Sequence, residues 1–193
     1  MRLHLTSTDI RQNDDFSLSL YDTSSNPIWL EHPQSRARVD VVAVPLDAEY
    51  MRARFFARSF TSENLIPADV EIGIGEDVLV LGYPMGFYDR VHNLPIIRSA
   101  TLASVYPVPF SGDPFVLIDS RLHRGTSGSP VLTKPTQMLR RQDGTSILST
   151  PISFLLGVHS AIVDIRDRNP EQDEPLGLSV VWFAKLIQEI ISQ

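Results

Sequence analysis

An all-β architecture closed by one C-terminal helix is the fold class that this 193-residue sequence predicts. Three observations carry the prediction. Short runs of alternating or β-branched apolar residues recur along the chain, and loops containing Gly, Pro or Asp separate them. Apolar residues repeat at helical spacing only near the C-terminus. No apolar run approaches the roughly 20 residues that a membrane-spanning helix needs.

The elements follow in chain order. "RLHL" and "FSLSLY" alternate, with Phe16, Leu18 and Leu20 on one face and Ser17 and Ser19 on the other, as in half-buried strands. "DTSSNP" reads as a turn before a third strand at "IWL", and the β-branched "VDVVAVPL" from Val39 to Leu46 is a fourth. Residues 47–68 hold Arg52, Arg54, Arg58 and the pair Phe55–Phe56 without strand alternation, which predicts a connector whose basic cluster faces solvent. Strand signals resume at "DVLVLGYP", "IIRSATLASV", "PFVLID", "SPVLT" and "FLLGVHSAI", a spacing typical of a sandwich or barrel. "RNPEQDEP", residues 168–175, reads as an exposed loop. Trp182, Phe183, Leu186, Ile187, Ile190 and Ile191 then line one side of the predicted helix, opposite Lys185, Gln188, Glu189 and Ser192.

Composition removes several function classes. A net charge of −6 and a pI near 5.3 argue against a nucleic-acid binder, which needs a basic face to displace counterions from phosphates. With no cysteine there is no disulfide scaffold and no thiolate site, and a reducing compartment such as the cytoplasm is permitted. His4, His32, His92, His123 and His159 are scattered, with no two at metal-ligand spacing. "GIGEDV" at residues 73–78 lacks the third glycine of a dinucleotide loop.

One stretch carries chemistry. In "RLHRGTSGSPV", residues 121–131, Ser127 sits between Thr126 and Gly128 with Pro130 close behind. It is not the elbow of an α/β-hydrolase, because Ser129 stands where the second glycine of G-x-S-x-G belongs. "GTSGSP" in an all-β chain that ends in a helix resembles the trypsin-like serine peptidases, above all the bacterial branch of glutamyl endopeptidases and HtrA-type proteases. Further stretches occur in that family's order. "VDVVAVPL" resembles the strand that carries the triad aspartate, "LGYPMGF" the Gly-x-Pro-x-Gly segment opening the second barrel, "LLGVHSAI" the strand lining the substrate cleft, and "LGLSVVWFAKLIQEII" the final strand and helix.

The resemblance implies two six-stranded antiparallel barrels of the chymotrypsin type with a C-terminal helix. Residues 1–46 would be an incomplete first barrel, 47–68 the connector and 69–193 the second barrel with its helix. It implies Ser127 as nucleophile, Asp40 as the acid orienting an imidazole, and the N–H groups of Gly125 and Ser127 as oxyanion hole. Thr126 stands where many relatives carry Asp or Asn. Pro84 and Gly86 are expected to shape a turn. By the same resemblance the substrate would be a peptide or protein, with no cofactor required.

Within the cleft, His159 stands where glutamyl endopeptidases carry a histidine that bonds the substrate side chain, and Ser160 and Ala161 continue that strand. Arg121 and Arg124, with His123, would add positive potential favouring an acidic group. A strand histidine satisfied by a neighbouring backbone group is the alternative reading of His159. The triad histidine itself has no counterpart, since the family's spacing runs off the start of the chain and neither His4 nor His32 has the right context. Two expectations follow: either strands carrying that histidine lie upstream of Met1, or the domain is a pseudoprotease that binds peptides without cleaving them. In both cases this chain is expected to show little peptidase activity.

Overall fold

The computed structural model of the chain describes residues 2–6, 8, 13–162 and 177–192. In the N-terminal region β1 (Arg2–Thr6) pairs antiparallel with β2 (Asn13–Ser17), Leu3 opposite Phe16. The strand expected to run on to Tyr21 stops at Ser17. Beyond it local bonds replace the ladder: Ser19 Oγ donates to the Tyr21 carbonyl, and the Asp22 carboxylate takes the N–H groups of Ser24 and Asn26. β3 (Leu30–Glu31) and β4 (Val42–Ala43) form a second, very short pair.

The expected connector contains a helix, α1 (Ala48–Arg54). Asp47 caps it by accepting the N–H groups of Glu49 and Tyr50, and Arg52 and Arg54 stand in its last turn, where cations suit the helix dipole. Met51 is buried, and Tyr50 packs with Phe16 and Phe55, tying α1 to β2. Arg54 bonds the Asp14 carboxylate and the Tyr50 hydroxyl, so one member of the basic cluster is an ion-paired contact between elements.

The remaining strands are β5 (Asp77–Gly82), β6 (Ile96–Leu102), β7 (Phe115–Asp119), β8 (Pro130–Thr133), β9 (Thr136–Arg140), β10 (Ser146–Ile152), β11 (Leu155–Ile162) and β12 (Leu178–Phe183). Six of them close an antiparallel barrel in the order β11-β12-β7-β6-β5-β8. Valine and isoleucine build it, because branched side chains pack well on a pleated surface. Val78 and Val80 of β5, Val116 and Ile118 of β7, Val131 of β8, Leu156 of β11 and Val181 of β12 are at most 1% exposed. Two buried hydroxyls satisfy each other, Ser120 Oγ donating to Ser179 Oγ at 2.9 Å.

β9 and β10 form a separate hairpin across Asp143-Gly144, exposed on most of its surface. The terminal helix α2 (Lys185–Ile191) buries Leu186 and Ile190. It starts later than the sequence pattern indicates, since Trp182 and Phe183 belong to β12. α2 also joins the two halves of the chain: Glu189 bonds His32, while Val39 lies in the same apolar core as Leu186. Of the two barrels expected, the described residues form one; β1 to β4 remain as two separate pairs. The 168–175 loop lies outside the described residues. Among those described, no helix is long and apolar enough to cross a membrane.

Candidate active site

Residues 120–129 link β7 to β8, and Ser127 lies exposed within this loop. Glycines make its sharp course achievable. Gly125 has φ +90°, and a Cβ there would lie 2.7 Å from the Tyr83 carbonyl oxygen. Gly82, at the end of β5, approaches so closely that its Cβ would meet Ser129 Oγ at 2.2 Å. The "GYPMG" and "GTSGS" segments are therefore pressed together through glycines. Pro84–Gly86 forms a 3-10 turn, as expected of Pro84 and Gly86, and it holds the Ser127 loop by a bond from Met85 N–H to the Arg124 carbonyl at 2.6 Å. Burial and the neighbouring Tyr88 hold the Tyr83 phenol above its usual pKa, so it stays a neutral donor to the Asn93 carbonyl.

Two carbonyls of the loop are anchored. That of Arg124 accepts from Met85, and that of Thr126 accepts from Ser129 N–H at 3.0 Å and from His159 Nδ1 at 2.9 Å. In a planar trans peptide the N–H points opposite to the C=O. The N–H groups of Gly125 and Ser127 consequently point away from those anchors, and among the described residues no acceptor takes either of them. Thr126 is 1% exposed, and its hydroxyl donates to the His123 carbonyl at 2.7 Å, fixing the residue between the two donors. An exposed hydroxyl flanked by two unclaimed backbone donors is the arrangement that acyl transfer requires.

The other residues expected of a triad make no bond to Ser127 among the described residues. Asp40 is exposed in the segment before β4, and among the described residues nothing hydrogen-bonds or ion-pairs with its carboxylate. No imidazole bonds Ser127 Oγ among these residues either. His32 is 7% exposed and committed elsewhere: Nδ1 accepts from the N–H groups of Gln34 and Ser35, which leaves Nε2–H to donate to Glu189 at 2.9 Å. His92 bonds Asp89, whose carboxyl is held below the usual range by that contact and by backbone N–H groups. Nothing is described of the His4 side chain.

The residues expected to line a substrate cleft divide into two groups. Arg121 and His123 are exposed, as is Ala161, and the Ser160 hydroxyl accepts from Trp182 Nε1 at 2.9 Å. His159 is instead 2% exposed and lies against the Ser127 loop, its ring bonded to the Thr126 carbonyl. Because a carbonyl only accepts, Nδ1 carries the proton; in the neutral ring Nε2 is then an acceptor, buried and without a partner among the described residues. Burial pushes the His159 pKa down, partly opposed by the Thr126 bond. A neutral ring in this tautomer offers no free donor to a substrate carboxylate.

The Thr126–His159 bond agrees with the alternative reading of His159 as a strand histidine satisfied by a neighbouring backbone group; sequence reasoning missed which group that is, and the contacts made by Met85 and Gly82. Gly82 left a visible trace beside Pro84, whereas the His159 contact spans 33 residues and leaves no local pattern. Among the described residues no group of three or more His, Asp or Glu side chains could hold a metal ion. No protein-family model matches the chain, and a search of curated proteins found no match.

Proposed function

We propose that this chain carries the nucleophile-bearing barrel of a chymotrypsin-type serine endopeptidase, with Ser127 forming the acyl-enzyme. The observation that carries this reading is the pair of unclaimed N–H groups, Gly125 and Ser127, on either side of buried Thr126 and next to an exposed hydroxyl. In the reaction Ser127 Oγ bonds to the scissile carbonyl carbon, and the π pair moves to oxygen, where the two N–H groups receive it. The hydroxyl proton passes to a base and then to the leaving amine as the C–N bond breaks. Water repeats the sequence on the ester. Asp40 is the acid that would orient the imidazole acting as base.

A second reading, a peptide-binding module without turnover, is favoured by a specific observation. All the imidazoles whose side chains are described are either committed elsewhere or without a bond to Ser127. Loss of a triad histidine lowers turnover on the order of a millionfold, so this chain alone is expected to hydrolyse peptides barely above background. The test is prolonged incubation with a fluorophosphonate, followed by peptide mapping of wild type and Ser127→Ala. Slow modification confined to Ser127 supports the peptidase reading. Peptide binding with no Ser127 adduct supports the binding module, and modification spread over several serines contradicts the assignment of the nucleophile.

A further inference from the structure

We propose that His159 is a positioning residue of this site, whose Nδ1–H fixes the Thr126 carbonyl and through that single peptide plane aims the Ser127 N–H at the oxyanion. The proposal rests on Ser127 being the nucleophile. Three hydrogen bonds join His159 to the loop. Two are from its backbone, the N–H donating to the Ser129 carbonyl at 2.9 Å and the carbonyl accepting from Gly128 N–H at 2.7 Å. Any residue on β11 makes those two. The third, from the ring to Thr126, needs a side-chain donor at that position.

The ring carries a physical penalty. It is 2% exposed, and its Nε2 is buried with no partner among the described residues, an arrangement that costs free energy and that an aliphatic side chain would avoid. What the imidazole adds over a leucine is the bond at Nδ1. That bond acts on the peptide unit between Thr126 and Ser127, whose N–H belongs to the nucleophile itself. The Ser129 N–H shares the same carbonyl, so without the ring the turn survives but the Thr126 carbonyl loses one of its two donors.

Two measurements separate positioning from packing. A peptide boronic acid adds to a serine hydroxyl as a tetrahedral anion and reports on the oxyanion donors, whereas the same peptide without boron reports ground-state binding alone. For His159→Leu we expect boronate affinity to fall about tenfold, below the ~10²–10³ seen when an oxyanion donor is deleted outright, with plain-peptide affinity unchanged. His159→Asn places an amide N–H where Nδ1 lies and is expected to restore most of the loss; His159→Gln places it at the Nε2 position and is expected not to. If His159→Leu does not fold, the Asn and Gln pair carries the comparison. Equal losses for boronate and plain peptide, equal behaviour of Asn and Gln, or wild-type boronate affinity in His159→Leu would overturn the proposal. A boronate that binds wild type and Ser127→Ala alike would instead remove the nucleophile assignment on which it rests.

Discussion

The barrel and the N-terminal region are built from similar alternating segments yet differ in how their strands are partnered. Each barrel strand has a neighbour on both sides, and Val78, Val80, Val116, Ile118, Val131, Leu156 and Val181 are at most 1% exposed. β1 to β4 pair two by two, and Val42 of β4 is 55% exposed. The difference teaches that closure, more than the residue type, decides how much a β-branched side chain contributes. It also separates the candidate catalytic residues. Ser127 stands on a loop pinned at Arg124 and Thr126 by the barrel, while Asp40 stands in the open region with no partner among the described residues.

Core truncation is the strongest way to break this contrast. Leu156→Ala, at a fully buried position, is expected to lower stability by ~2–5 kcal/mol, whereas Val42→Ala should change it by less than ~0.5 kcal/mol. Urea unfolding of both variants measures the gap; equal losses would remove the distinction. Next in size is Gly125→Ala, which forces a side chain to φ +90° against the Tyr83 carbonyl and is expected to cost ~1–3 kcal/mol. The same variant should abolish fluorophosphonate modification of Ser127, and retention of both stability and labelling would show that the loop is not pinned as described.

Within the N-terminal region, Asp47→Ala removes the cap of α1 and is expected to cost about 1 kcal/mol, read as a shift in the urea midpoint. A null result would mean that α1 is held by Phe16 and Phe55 packing alone. The smallest effect sharpens the barrel side. The folded His159 ring binds a proton less readily than the unfolded one, whose value lies near 6.5. Below that value the unfolded state therefore holds more protons, so the stability His159 contributes is full above pH 6.5 and declines as pH falls towards the lowered folded value. His159→Asn should flatten this part of the stability profile, and an unaltered profile would place its origin elsewhere.

The barrel was legible because its strands announce themselves by β-branched runs that closure then buries. The β9–β10 hairpin was not, since its exposed faces impose no alternation, although Asp143-Gly144 marks its turn. α1 was obscured by its short length, although the Asp47 cap and the arginines of its last turn both favour a helix. In the candidate site, the tight loop around Ser127 could be read from its glycines because such a turn is a local structure, whereas the roles expected of Ser127 and Gly125 rested on the resemblance alone. The roles of Gly82, Met85 and His159 depend on contacts between distant segments, and the single letters at those positions specify none of them.

The most direct measurement is a crystal structure of the chain with a peptide boronic acid bound. The account predicts boron bonded to Ser127 Oγ, with one boronate oxygen about 2.7–3.1 Å from both the Gly125 and the Ser127 nitrogen. A boronate attached to another residue, or one on Ser127 whose oxygens turn away from both N–H groups, would contradict it.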